Sequence, residues 1–219
     1  MLTQRTPRSG YSRAERLSDA AVHVSGIAAA LCGVPVLIAL TVLWRGDGMA
    51  VAGASIYGAT LLLMILCSAV YHMVPHPDWT ALLRRLDHSA IYCKIAGTYS
   101  AFTLISGQGL TLLAGIWAAA LCGTALKLHS PEKYRWGALA LYLGMGWAGV
   151  ALGWPLFASL TGPVLALIAA GGLLYTVGVV FYLCERLPFH TTIWHLFVLT
   201  ASVIFYAAVM IHVAGTAAD

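Results

Sequence analysis

Apolar residues run along this chain in seven long blocks, roughly 22–44, 49–72, 87–106, 109–127, 135–153, 163–184 and 191–213. Each is close to the about 20 residues that a helix needs to cross the hydrocarbon of a bilayer. Polar or Pro/Gly-rich punctuation separates them: Arg45-Gly46-Asp47-Gly48, the segment from Pro75 to Asp87, Ser106-Gly107-Gln108-Gly109, the segment from Ser130 to Arg135, Trp154-Pro155 onward, and Glu185 to Pro188. None of the blocks alternates polar and apolar residues over about ten positions, as the strand of a membrane barrel does. The pattern predicts an all-α membrane protein, a seven-transmembrane helix bundle. Residues 1–21 form a basic tail, 22–213 the bundle, and 214–219 a short tail at the far end.

Composition excludes the alternatives. Of the 219 residues, 60% are hydrophobic and 9% charged, against about 25% charged in a soluble domain. So few charges cannot clothe a soluble surface of this size, and they exclude disorder, a collagen-like fibre and a nucleic-acid-binding module. The five cysteines, Cys32, Cys67, Cys93, Cys122 and Cys184, form no CxxC pair and lie in or beside apolar runs. They read as small buried hydrophobes rather than a disulfide framework. The apolar block after the first 20 residues is too long for a signal-peptide core.

Charge placement orients the bundle. Arg5, Arg8, Arg13, Arg16, Arg84, Arg85, Lys127, Lys133, Arg135 and Arg186 fall on one side, ten in all, against Arg45 alone on the other, with Lys94 inside the third block. Cytoplasmic loops carry the excess of Lys and Arg. The N-terminus is therefore expected in the cytoplasm and the C-terminus outside.

That orientation puts several ionisable residues at one depth. His72 ends the second block, Asp87 and His88 open the third, His190 and His195 straddle the start of the seventh, and His23 opens the first. Ionisable groups within a membrane are costly and point to function. Ser68 and His72 are four apart and share a helix face, whereas His190 and His195 are five apart and diverge. Imidazoles with a carboxylate suit zinc, which in catalytic sites holds three protein ligands and a water. His23 reads either as a polar contact behind the ligands or as an interfacial residue. His76, His129 and His212 read as solvated loop or interface residues. Lys94 follows Asp87 by seven residues, which places it on the same face about 10 Å deeper, in the bundle interior. Glycines such as Gly144-Met145-Gly146 and Gly171-Gly172 are expected to let helices approach closely. Trp44, Trp79, Trp136 and Trp154 read as interface anchors.

Several strings carry a family resemblance. These are Ser68-Ala-Val-Tyr-His72, Leu86-Asp-His-Ser-Ala-Ile91, Ala96-Gly-Thr-Tyr99, Gly144-Met-Gly-Trp147, Gly171-Gly-Leu-Leu-Tyr-Thr176, Phe181-Tyr182 and Ile193-Trp-His-Leu-Phe-Val-Leu199. In this order, from about His23 to Val213, they resemble the hemolysin III family of bacterial membrane proteins, relatives of the progestin and adiponectin receptors and of the alkaline ceramidases. The resemblance implies a seven-helix bundle in the bacterial plasma (inner) membrane and a zinc site near its cytoplasmic face. It implies His72 and His195 as metal ligands, with Ser68 and Asp87 as the catalytic pair, and His190 is the candidate for a third ligand only where the start of the seventh helix unwinds. The family's His-x-x-x-His begins at a position occupied here by Thr191, and its further histidine is replaced by Phe205. Gly97-Thr-Tyr-Ser-Ala-Phe102 and Lys94 also depart from the usual pattern. The departure at Thr191 predicts weakened zinc binding that Thr191→His restores.

The resemblance supports a zinc-dependent intramembrane amide hydrolase with a membrane lipid as substrate. A non-enzymatic membrane sensor or stress protein that binds lipid or metal is the alternative. A cytolytic pore, which the family name suggests, fits a multi-pass insertion pattern less well.

Overall fold

The computed structural model describes residues 11–74, 76–129 and 135–216. Over these residues the chain forms eight helices and no strand: α1 Arg13–Trp44, α2 Gly48–Met73, α3 Thr80–Ser106, α4 Leu110–His129, α5 Arg135–Leu152, α6 Trp154–Ala158, α7 Gly162–Leu183 and α8 His190–Gly215. Each of the seven apolar blocks falls in one of the long helices, and α6 is a five-residue addition over the Trp154-Pro155 punctuation. Five helices, α1, α2, α4, α7 and α8, are long and apolar enough to cross a membrane. The apolar run of α3 is interrupted by Arg84, Arg85, Asp87 and Lys94, and the apolar stretch of α5 spans only Trp136–Leu152. Arg5, Arg8, Lys133, most of the Ser130 to Arg135 segment and residues 217–219 lie outside the described residues.

α1 begins well ahead of the apolar block that opens at residue 22, because Ser12 and Glu15 form a capping box. The Ser12 hydroxyl accepts from the Glu15 N–H at 3.1 Å, and the Glu15 carboxylate accepts from the Ser12 N–H at 2.7 Å. The same carboxylate accepts from the Phe189 N–H at 3.0 Å, tying the first turn of α1 to the start of α8. Arg85 donates to the Leu128 carbonyl at 2.9 Å, joining the start of α3 to the end of α4. At the opposite end Arg45 donates to the Thr216 carbonyl at 2.7 Å and Asp47 caps α2 by accepting from the Ala50 N–H at 2.8 Å. The bundle therefore has a basic end, with the starts of α1, α3 and α8, and an opposite end held by Arg45.

α2 packs along α3, α1 against α2 and α8, α7 along α8, and α4 along α3. Close approach is real at particular glycines. A Cβ on Gly97 would collide with Thr60 of α2, one on Gly58 with Val34 of α1, and one on Gly123 would come within 2.7 Å of the Tyr92 ring. A Cβ on Gly171 would likewise come within 2.7 Å of the Phe205 ring, but one on Gly144 or Gly146 would meet nothing, so that glycine pair is not the contact expected of it. Tyr57, Leu37, Val164, Val209 and Val213 fill the core. Leu43, Leu121, Val150 and Leu152 point outward, as do Trp44, Trp79, Trp136 and Trp154 at helix ends. An apolar exterior of this extent needs a lipid surround. The cysteines correct their expected burial: Cys32, Cys122 and Cys184 are exposed on this outer surface, and Cys67 and Cys93 are half-buried.

Candidate functional site

Four helices converge at the basic end. Asp19 and His23 are four residues apart in α1 and share one face, as do Ser68 and His72 in α2. α3 contributes Asp87 two turns after its start, and α8 contributes His195 in its second turn. Asp19, His23 and His195 are all at most 8% exposed, a depth that an ionisable residue tolerates only with partners.

Those partners are present. The Nδ1 of His195 lies 2.6 Å from Asp19 Oδ1, a charge-assisted hydrogen bond. His23 Nδ1 donates to the Asp19 backbone carbonyl at 2.8 Å, because a carbonyl can only accept. Both rings in their neutral form therefore carry the proton on Nδ1 and present an unprotonated Nε2, the state in which imidazole binds a metal. The Ser68 hydroxyl donates to His23 Nε2 at 3.2 Å. His72 bridges the two carboxylates, with Nδ1 3.7 Å from Asp19 Oδ2 and Nε2 3.8 Å from Asp87 Oδ2. The His195 ring centroid is 4.5 Å from those of both His23 and His72, and the latter two stack at 5.5 Å. One ligand atom each from Asp19, His23 and His195 lies within 4.8 Å of the others. Buried imidazoles next to carboxylates are the donor set that zinc takes, so the residues present fit a metal of that kind.

Of the residues singled out in the sequence, Ser68, His72, Asp87 and His195 come together here. His190 does not join them. Its Nε2 is 3.3 Å from the Tyr11 hydroxyl and its Nδ1 3.2 Å from the Leu187 carbonyl. The reason is local: α8 starts at His190, so residue 190 is turned away from the face that carries His195. Thr191 faces Tyr11, with the two hydroxyls 2.6 Å apart. Burial pushes the Tyr11 hydroxyl above its ordinary value, and the Thr191 contact works against that shift. Asp19 and His23 are members that sequence reasoning missed or left open. His88 donates from Nδ1 to the Arg84 carbonyl at 2.6 Å, and its Nε2 faces the Tyr182 hydroxyl at 3.4 Å. His76 and His129 are exposed as expected, whereas His212 is buried against Phe102 at the opposite end, contrary to its expected solvation.

Two cavities flank the cluster. The larger, about 970 Å³, runs from His23, Ser68, His72, Asp87 and His195 into the bundle past Lys94, between α3, α5, α7 and α8. The smaller, about 260 Å³, lies at the basic end and is lined by Tyr11, Asp19, His72, His190 and Thr191. His72 borders both. The large cavity is mostly apolar, with Leu165, Ile168 and Val198 on its walls.

A family model described as haemolysin-III related matches residues 13–206. The chain is 38% identical to a protein of Bacillus cereus named Hemolysin-3, over 99% of this chain and 100% of that one. It is 36% identical to the Hemolysin-3 homolog of Bacillus subtilis (strain 168), over 90% and 94%. It is 33% identical to the human monocyte to macrophage differentiation factor, over 71% of this chain and 68% of that one.

Proposed function

This chain belongs to the haemolysin-III-related family and is an integral membrane protein, and from that premise we propose that it is a metal-dependent hydrolase of a lipid amide. The single observation that carries the reading is the meeting of buried Asp19, His23 and His195 with half-buried His72 and Asp87 at the mouth of a large apolar cavity. Zinc is the proposed metal, with His23, His72 and His195 as its ligands. When bound it supplies a water acidified towards neutral pH and a Lewis acid for a carbonyl.

The protein's own residues divide the remaining work. Asp19 fixes the tautomer of His195 through Oδ1 and orients His23 through its backbone carbonyl. Asp87 is placed to take and return a proton at Oδ2, beside His72 Nε2. With His23 Nε2 taken by the metal, the Ser68 hydroxyl 3.2 Å away would be released from that nitrogen and free to donate to the oxygen of an amide carbonyl as charge develops on it. The large cavity holds the acyl chain and keeps bulk water away, while the small one gives water a route to His72 from the basic end.

The orientation belongs to the same proposal. Seven crossings, with α3 and α5 joining the five apolar helices, put the N-terminus and the cluster on the cytoplasmic side of a bacterial inner membrane. The name Hemolysin-3 of the bacilli relatives suggests a cytolytic pore; a closed set of buried imidazoles and carboxylates is better suited to chemistry than to conduction. A lipid or metal sensor uses the same cavity without turnover.

The test is fatty-acid release from an N-acylated sphingoid lipid by purified zinc-loaded protein in micelles. Asp87→Asn is expected to lower the rate by roughly 10²–10⁴-fold, the range for a general acid–base group, and Ser68→Ala by roughly 10²–10³-fold, the range for an oxyanion donor. No release by the loaded natural protein, or release indifferent to both changes, overturns the hydrolase reading and leaves the sensor.

A further inference from the structure

Lys94 is deep in α3 and only 3% exposed, yet among the described residues no carboxylate pairs with it. Its Nζ donates to the Thr98 hydroxyl at 2.8 Å, and that hydroxyl in turn donates to the Lys94 backbone carbonyl at 2.8 Å. The ammonium lies 4.3 Å from the centroid of the Tyr57 ring and 5.9 Å from that of Phe205. An ammonium has three donors, and one is used. Aromatic faces offset part of the cost of burying the charge, but a cation in an apolar interior without an anion remains expensive.

The surroundings show where an anion would sit. Lys94, Thr98 and Phe205 all line the large cavity. So do Tyr175 and Ser202, whose hydroxyls are 2.9 Å apart, and the Ser202 carbonyl accepts from Tyr57 at 3.5 Å. Through Tyr57 these groups join Lys94 in a polar island inside an otherwise apolar space, separate from the histidine cluster and about 10 Å further along α3 by its helical rise.

We propose that Lys94 binds the carboxylate of a single-chain amphiphile held in this cavity, with hydroxyls of the polar island completing the site. One ammonium flanked by neutral hydroxyls matches the compact single charge of a carboxylate, whereas a phosphodiester headgroup adds a bulky, strongly hydrated substituent that the apolar walls do not match. The apolar walls formed by Leu165, Ile168 and Val198 accept the alkyl chain. The site uses neither metal nor turnover, so it stands whether or not the hydrolase reading does.

Equilibrium binding of dodecanoate and of dodecan-1-ol to the purified full chain in maltoside micelles tests the proposal. The natural protein should prefer dodecanoate. Lys94→Met should weaken dodecanoate by on the order of thirtyfold or more, the range for truncating one partner of a buried charged pair, while dodecan-1-ol binding persists and reports an intact cavity. Lys94→Arg should retain most of the preference for the carboxylate, and His195→Ala should leave it in place. The proposal is overturned if Lys94→Met leaves dodecanoate affinity unchanged or weakens both ligands equally. It is also overturned if His195→Ala rather than Lys94→Met abolishes the carboxylate preference, which would place the anion at the histidine cluster.

Discussion

Asp19 holds the site together at the scale of single residues. Its carboxylate contacts the His195 ring at 2.6 Å and lies 3.7 Å from ring nitrogens of both His23 and His72. Asp19→Asn keeps the shape and removes the charge that orients the ring, so zinc affinity is expected to fall by about 10–100-fold, the usual effect of losing such a partner. Competition against a chromogenic chelator reads this directly, and an unchanged affinity removes the orienting role. Thr191 makes a second prediction. His23 now occupies the group that a histidine at position 191 was expected to complete, so Thr191→His alone should change little. His23→Ala should lose zinc, and adding Thr191→His should recover much of it, because residues 191 and 195 share a helix face. Failure of the double variant to hold more zinc than His23→Ala would show that position 191 does not reach the site. Ser68, His72, Asp87 and His195 were legible from their motifs. Asp19 was not, since it lies among Arg13, Arg16, Ser18 and Glu15 in a stretch polar enough to read as a tail. The signals that carry it are the Ser12-x-x-Glu15 capping box, which starts a helix there, and the four-residue spacing from Asp19 to His23.

At the scale of elements, the seam between α2 and α3 governs the site, because it sets His72 against Asp87. Gly97 lets the seam close, and any side chain there runs into Thr60. Gly97→Val should destabilise the bundle by about 1–3 kcal/mol, the range for overpacking, whereas Gly144→Ala, which meets open space, should be near neutral. Thermal unfolding of both in the same detergent decides this, and equal midpoints contradict the packing account. The α2 start offers a pH test. The Ala50 N–H bond holds the Asp47 carboxyl below its ordinary value, with a smaller contribution from Arg45. A lowered carboxyl stabilises the folded state above its unfolded pKa and stops doing so as pH falls through the folded one. Asp47→Ala should therefore lose a small increment of stability at neutral pH but not in acid, and a difference that persists in acid would contradict the cap. Element ends were the least legible feature. Hydropathy located the apolar middles, but charged residues fall within the first two turns of both α1 and α3, and α6 breaks Trp154-Pro155 into its own short turn.

At the scale of the whole molecule, hydropathy was sufficient for an all-helical membrane bundle, because little besides a lipid surround accounts for so many outward apolar residues. The large cavity was not legible, since it depends on how α5 and α7 stand relative to α3, which no local pattern encodes. The ten-to-one distribution of Lys and Arg predicts that a reporter inserted at Pro77-Asp78 reads cytoplasmic and one fused after Asp219 reads external. A cytoplasmic C-terminus would sink the orientation. The account rests most heavily on the claim that the buried imidazoles and carboxylates form a metal site, and zinc stoichiometry of the purified protein tests that most directly. After exposure to zinc and removal of loosely bound metal, close to one equivalent per chain is expected in the natural protein and little in His195→Ala. An equal zinc content in the two proteins, or none in either, would contradict it.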